Sequence, residues 1–472
     1  MIRFAARSAV GVLVLAGCIR GTPPGATIEQ GRAATPRHQQ PVALVGATLI
    51  DGTARPPRTG TVLIDAGRIA CAGECPVPSG MRVVDVTGRY LIPGLVDAHV
   101  HYSQTGWVDA RPDAEDVRAR FPYERTIASL EADPARFYRS YLCSGVTATF
   151  DVGGYPWTWN LREPAERDPS APHVAAAGPL LSTVDHWVNV PGSRQFIHAA
   201  GDSATRTGAR MIAQHASDAV KIWYVVEGSA PDTLALKAAV RAAADEARRA
   251  RIPLIVHATG LWAAKDALRA GASQLVHSVD DTLVDDEFLR LARAAGTIYT
   301  PTLTVMDGYR QLFERRFDST GLPLACVDPA TRARVALTDS LPVRTLGPGF
   351  AAYFERHRQT ARENLRRVHT AGIPVAMGTD AGNPLTLHGA SVFRELEAMA
   401  EAGLPPAAVL TSASAIAARA MGRDDIGTLE RGKIADIVVL SRNPLEDIAN
   451  VRSIVQVVRA GTVWDREALE YR

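Results

Sequence analysis

The chain has 472 residues, 46% of them hydrophobic and 22% charged, with a formal net charge of +2. That length can bury a large core and more than one domain. A near-neutral chain without a long basic run excludes a nucleic-acid binder that works by electrostatic attraction.

In chain order, Arg3 and Arg7 precede a short apolar stretch that ends in Leu15-Ala16-Gly17-Cys18. A positive start, a short apolar run and small residues at a cut site describe a secretory signal, and the run falls short of the roughly 20 apolar residues that span a bilayer. The Leu-Ala-Gly-Cys ending resembles a bacterial lipobox, which implies cleavage before Cys18 and lipidation of its sulfur. Ile19 follows, not Asp, so the expected location is the outer membrane of a Gram-negative host, facing the periplasm. Residues 19–40 are polar and rich in Pro and Gly, a flexible tether. Four cysteines follow: Cys71, Cys75, Cys143 and Cys326. An oxidising compartment permits a Cys71–Cys75 bridge, though so short a loop gains little, and free thiols fit as well.

Residues 41–91 predict short strands separated by turns such as Asp51-Gly52, and residues 423–472 repeat that pattern. The two ends are expected to pair into one small β-sandwich. Between them, over 92–422, eight short apolar runs alternate with amphipathic segments such as 232–251 and 352–371. The runs are "GLVDAHVH", "GVTATFDVG", "HVAAAGPLL", "DAVKIWYVV", "IPLIVHATG", "ASQLVHSV", "GTIYTPTLT" and "IPVAMGTDAG". Eight strands alternating with helices predict an α/β fold of the (β/α)8, TIM-barrel type. A doubly wound open sheet is the alternative, but no G-x-G-x-x-G follows the first strand. Residues 303–350 form a long insertion after the seventh strand, a lid or a passive excursion.

His99 and His101 stand two apart on the first strand, so period-2 geometry turns both rings to one face. His257 ends the fifth strand, His277 the sixth and Asp380 the eighth. All five lie at C-terminal strand ends, where barrel enzymes build their sites. Lys221 interrupts the apolar fourth strand, where a charge is costly unless paired or neutralised. Burial favours the neutral amine, which beside cations can add carbon dioxide and become an anionic carbamate able to bridge two metals. A snorkelling lysine, or one paired with Asp218 or Glu227, is the alternative.

The pieces "LIPGLVDAHVH", "DAVKIW", "IPLIVHATG", "LVHS", "MGTDAG" and "IGTLERGKIADIVVLSRNPLEDI" resemble the amidohydrolase superfamily, in particular its imidazolonepropionase- and prolidase-like members. The resemblance covers residues 41–465. It implies two divalent metal ions, zinc by default. His99, His101, Lys221 and Asp380 would surround the more buried ion, and Lys221, His257 and His277 would hold the more exposed one. It further implies a metal-bridging hydroxide as nucleophile and Asp380 as the catalytic group that accepts its proton and later protonates the leaving nitrogen. Members that use one metal to deaminate ring substrates lack the fourth-strand lysine, so Lys221 speaks against that reading. Dipeptide-cleaving relatives often follow the lysine with Ser-Gly-Gly, whereas here Trp223-Tyr224-Val225-Val226-Glu227 follows.

The implied function is hydrolysis of amide bonds in N-acyl amino acids, small peptides or cyclic amides. A mononuclear deaminase or imidazolone-type hydrolase is one alternative, and a non-catalytic ligand-binding lipoprotein another. The implied partner is a small-molecule amide, with no nucleic acid, membrane contact only through the N-terminal lipid, and oligomeric state left open. Six tryptophans, at 107, 157, 159, 187, 223 and 262, fall in or just after the first five barrel strands and are expected around the catalytic mouth. Tyr155, Trp223, Tyr224 and His388 are the candidate substrate contacts, and Arg194 or Arg310 could hold a substrate carboxylate.

Overall fold

The computed structural model describes residues 40–471, apart from positions 54, 186–188, 226–232, 344–345 and 348. The expected signal peptide and all but the last residue of the tether lie outside the described residues. Among the described residues, no helix is long and apolar enough to cross a membrane.

Eight parallel strands close into a barrel. The first strand, Leu95–Val100, pairs with the second, Val146–Asp151, which pairs with His173–Ala176. The third strand bends after Ala176, because Pro179 has no N–H for a ladder and Gly178 takes a φ of +66°. A Cβ on Gly178 would stand 2.1 Å from the Trp159 ring, so the indole fills the notch. Beyond the bend, Leu180–Ser182 pairs with the fourth strand, Val220–Trp223. The fifth, Leu254–His257, the sixth, Gln274–Val276, and the seventh, Ile298–Thr300, follow in order. The eighth strand, 374–381, is irregular but closes the ring on both sides. Ala376 N donates to Tyr299 O at 3.0 Å, and Ala98 N donates to Met377 O at 3.1 Å.

Helices cover the barrel with their apolar faces inward. Thr233–Ala250 buries an alanine-rich stripe that includes Ala239, Val240, Ala243 and Ala247. In Asp286–Ala295 the Asp285 side chain accepts from Phe288 N at the start, and Gly296 takes the left-handed position at the end. The insertion after the seventh strand contains the helices Leu303–Phe313 and Pro329–Val335, and Phe350–Thr370 follows it.

Strands from both chain ends share one eight-stranded sheet. Its order runs from Thr462–Asp465 through Ile454–Arg459, Ile437–Leu440, Tyr90–Pro93, Val42–Leu49 and Arg58–Asp65 to Arg68–Gly73, with Arg82–Asp85 pairing on Val42–Leu49. Leu44, Leu49, Val62, Leu91, Val439 and Val458 form its core.

All four described cysteines are bridged, which decides between the bridge and the free thiols that the sequence left open for Cys71 and Cys75. Cys71 pairs with Cys75, and Cys143 pairs with Cys326 across 183 residues. The second bridge was not foreseen, because only the fold brings the helix Tyr138–Cys143 against the insertion.

Candidate metal centre

The barrel brings the predicted residues to one place. Asp380 N donates to His99 O and His101 N donates to Ala381 O, each at 2.8 Å, so the first and eighth strands run together to their C-terminal ends. His99 Nε2 and His101 Nε2 then reach Asp380 Oδ1 at 3.3 and 3.0 Å, and His277 Nδ1 lies 3.8 Å from Oδ2. Ligand atoms of His99, His277 and Asp380 all fall within 4.8 Å of one another. The His257 ring centroid is 4.2 Å from that of His277, and Lys221 lines the same cavity at 2% exposure. Asp218, one proposed partner of Lys221, is turned away toward Arg162 and Ala176 N, and Glu227 lies outside the described residues.

Burial governs the electrostatics. It pushes the Lys221 amine down to about 7, although the Asp380 and Asp151 carboxylates pull the other way. Burial, reinforced by Lys221, takes His99 down to about 3. His257 and His277 fall well below the ordinary histidine value for the same first reason. These rings are therefore neutral, the form in which imidazole ligates a metal. Burial would raise Asp380, but the surrounding histidines outweigh it and hold the carboxyl ionised.

Three observations show that this set fits a divalent cation. His99 Nδ1, His99 Nε2 and Asp380 Oδ1 are buried without a hydrogen bond, a rare state for buried polar atoms. His101 Nδ1 donates to Gly153 O at 2.6 Å, which leaves Nε2 as an acceptor facing Asp380. Finally, His277, Thr302 and Asp380 adopt φ values of +71°, +45° and +62°. Such left-handed non-glycine backbone costs about 1 kcal/mol or more per residue and clusters at functional sites. Imidazole nitrogens with a carboxylate are suitable donors for zinc and for its first-row neighbours.

The expected substrate contacts divide. Trp223 lines a cavity of about 600 Å³ that opens over the metal-ligand candidates. Tyr155, Tyr224 and His388 do not, because each is drawn into a buried hydrogen bond elsewhere. Tyr155 and Tyr123 share one of 2.9 Å, and Tyr224 donates to Asp266 at 3.0 Å. His388 accepts from Tyr141, donates to Gln104 O and stacks 3.8 Å from Phe137. Of the described tryptophans only Trp223 reaches the cavity. Trp107, Trp157 and Trp159 are buried off it, Trp262 is on the surface, and Trp187 lies outside the described residues. Arg310 is held by Asp307 and Glu314, and Arg194 is exposed.

Sequence reading missed Arg111, Asn383 and Tyr309. Arg111 pairs with Asp113 at 2.7 Å, bonds Asn383 Oδ1 and sits 5.9 Å over the Tyr309 ring, whose hydroxyl donates to Asn383 at 3.0 Å. Asn383 follows Asp380 by three residues, which was the available signal. Tyr309 belongs to the insertion, whose first helix walls the cavity.

Comparison with known proteins agrees with this geometry. Residues 90–464 match the model of the amidohydrolase family. An imidazolonepropionase of Streptomyces avermitilis is 27% identical over 439 residues, covering 89% of this chain and 86% of that protein. An N-acyl-D-aspartate deacylase of Alcaligenes xylosoxydans xylosoxydans is 39% identical, but over 70 residues that make up 15% of this chain and 14% of that relative. In structure, a Xaa-Pro dipeptidase with methionine bound in its active site superposes with a TM-score of 0.69 at 21% identity, covering 90% of this chain and 100% of that one.

Proposed function

The chain belongs to the amidohydrolase family, and from that premise we propose that it is a metal-dependent hydrolase of amide bonds. The single observation that carries the reading is the buried Lys221 set among His99, His101, His257, His277 and Asp380 at the mouth of the barrel. His99, His101, Lys221 and Asp380 would hold one divalent ion, and Lys221, His257 and His277 a second, with zinc the natural occupant. When bound, such ions supply the acidity that activates water and the charge that polarises a carbonyl.

The chain's own groups do the rest. Lys221, neutral when buried, bonds through Nζ to the carbon of carbon dioxide and releases one proton to solvent, leaving an anionic carbamate. The Asp380 carboxylate, held ionised, takes a proton from the attacking water and returns it to the leaving nitrogen as the C–N bond breaks. N-acyl amino acids and small peptides are the first substrate class; Arg111 borders the cavity beside Asn383, but its guanidinium is already paired with Asp113. Similarity to an imidazolonepropionase along most of both chains supports cyclic amides as a second substrate class. A mononuclear deaminase would leave Lys221 without a role, and a non-catalytic lipoprotein would have no need of the full donor set.

The test is Lys221→Ala. It should lose activity on an amide panel together with bound metal by elemental analysis, and a short carboxylic acid should restore both in part. Wild-type activity and metal content in that variant would overturn the reading.

We also propose that the protein is exported and anchored through a lipid on Cys18. The two bridges among the described residues support an oxidising compartment. Cys18→Ala should release the protein from the membrane fraction; unchanged fractionation would refute the anchor.

A further inference from the structure

The cavity is larger than the metal-ligand candidates require, and its far portion has a different character. Three helices outside the barrel ring border it there: Leu303–Phe313, Phe350–Thr370 and Val392–Glu401. On the second of these the bordering residues are Tyr353, Phe354, His357, Arg358, Ala361 and Arg362. On the third they are Arg394, Glu397, Ala398 and Glu401. Each set recurs at i, i+3/i+4 and i+7, so each helix turns one face to the same space. Neighbouring helices ordinarily fill such a space by interlocking side chains, since protein interiors are close-packed. Here the positions between the charged residues are Ala361 and Ala398, whose short side chains leave room on both bordering faces.

Aromatic rings continue from the metal end into this space. Tyr309 lies beside Arg111 and Asn383, three residues past Asp380. Its ring centroid is 6.2 Å from Phe313, and Phe313 is 6.2 Å from Phe354. The Tyr309 hydroxyl is engaged by Asn383 and Arg111 lies over one side of the ring, while the residue still borders the cavity. At the outer end Arg362 pairs with Glu401, so that rim is polar but internally paired. The result is an arm with Tyr309, Phe313 and Phe354 along one wall and, along the other, charged residues held in pairs such as Arg358–Glu355, Arg362–Glu401 and Glu397–Arg452, with the reacting groups at one end. At about 600 Å³ the whole cavity is in the range of about 300–1,000 Å³ that encloses drug-sized ligands.

We infer that the substrate carries an extended apolar substituent, an aryl group or an alkyl chain, which lies along Tyr309, Phe313 and Phe354 and ends between Ala361 and Ala398. This rests on the reading of the site as an amide hydrolase, but its recognition step is separable from hydrolysis. Tyr309, Phe313 and Phe354 act as specificity determinants, and the two alanines set how long the substituent can be.

The test uses full-length, metal-loaded protein and two kinds of ligand. The first is a series of n-alkanols from butanol to dodecanol, which contain no amide. Calorimetric affinity should rise about fourfold per methylene, the value of burying one CH2, until the arm is full. Ala361→Trp and, from the opposite helix, Ala398→Phe should end that rise at shorter chains, in whichever variant keeps the wild-type melting temperature. The second is a set of N-acetyl, N-phenylacetyl and N-dodecanoyl amino acids. There kcat/KM should favour the larger acyl groups by at least tenfold, and the filled variants should lose that preference through KM. An aryl-only preference would assign the arm to a ring, and a dodecanoyl preference to a chain. Alkanol affinity independent of length, or a rise unchanged in both filled variants, would overturn the arm. Length-dependent alkanol binding without turnover of any amide would leave the arm standing and refute the hydrolase reading.

Discussion

Asp97 and Thr379 are joined twice: the Thr379 amide donates to Asp97 Oδ1 at 2.9 Å and its hydroxyl donates to Oδ2 at 2.6 Å. Asp97 precedes His99 by two residues and Thr379 immediately precedes Asp380. The bridge therefore sets the height of the Asp380 carboxylate against the two histidines. Both residues are buried, so removing the hydroxyl strands part of a desolvated carboxylate.

Thr379→Val should accordingly lower stability by about 1–3 kcal/mol, the usual penalty for an unmet buried polar group. It should also reduce bound metal, although Thr379 itself is no ligand. Thr379→Ser keeps both donors and should restore occupancy. Equal metal content in the valine and serine variants would show that the bridge does not position the site.

His173 predicts a pH-dependent link between barrel and sheet. Its Nδ1 lies 2.7 Å from Glu166 Oε2 and its Nε2 lies 2.9 Å from Asp436 Oδ2. Burial would lower its pKa, but Asp436 and Glu166 outweigh both burial and the opposing charge of Arg459, and the net shift is upward. Arg423, which pairs with Glu166, completes the charged surroundings. A folded-state pKa above the unfolded value of 6.5 means that the folded protein binds the extra proton. The stabilisation is then fully present below pH 6.5 and is lost as pH rises through the folded value. Urea midpoints should fall from pH 6.5 upward in the wild type, and His173→Gln should flatten that fall. Parallel curves would locate the titration elsewhere.

The two bridges should differ in worth. In the chain-entropy picture a five-residue ring stabilises by about 2 kcal/mol, and a ring of nearly two hundred residues by about 5 kcal/mol. Cys143→Ser with Cys326→Ser should therefore lower the melting temperature much more than Cys71→Ser with Cys75→Ser. The long bridge also fastens the insertion, one of whose helices walls the cavity, so its loss should raise KM as well. A larger loss from the short bridge would contradict this.

What the sequence revealed, and what it hid, follows from range. The convergence of His99, His101, Lys221, His257, His277 and Asp380 was legible because each lies in or just after the C-terminal part of a strand, and those parts converge in a barrel by topology. Tyr155, Tyr224 and His388 were misplaced because nearness along the chain to a strand end does not give side-chain direction. Each found a partner on another element: Tyr123, Asp266 and Tyr141. The left-handed backbone at His277 and Asp380 has no signature in residue type, since neither is glycine. The aromatic arm was hidden for a related reason. Its rings come from an insertion and from the helix after it, which no strand pattern aligns with the mouth.

Gly378 offers the most local test of how tightly the site is built. A Cβ there would stand 2.7 Å from Thr300 Cγ2, 2.8 Å from His99 Cβ and 3.1 Å from His99 N. Thr300 is on the seventh strand and His99 on the first, so the eighth strand passes between them with no room for a methyl group. Overpacking of this kind costs about 1–3 kcal/mol when neighbours must shift, and here the neighbour that must shift is a metal-ligand candidate. Gly378→Ala should thus lose bound metal and activity beyond what its melting temperature accounts for. Gly349→Ala, whose Cβ would meet nothing within 4 Å, is the control and should behave as wild type. If Gly378→Ala keeps full metal occupancy, the contact with His99 yields without moving the imidazole, and the site is less rigid than its strained backbone implies.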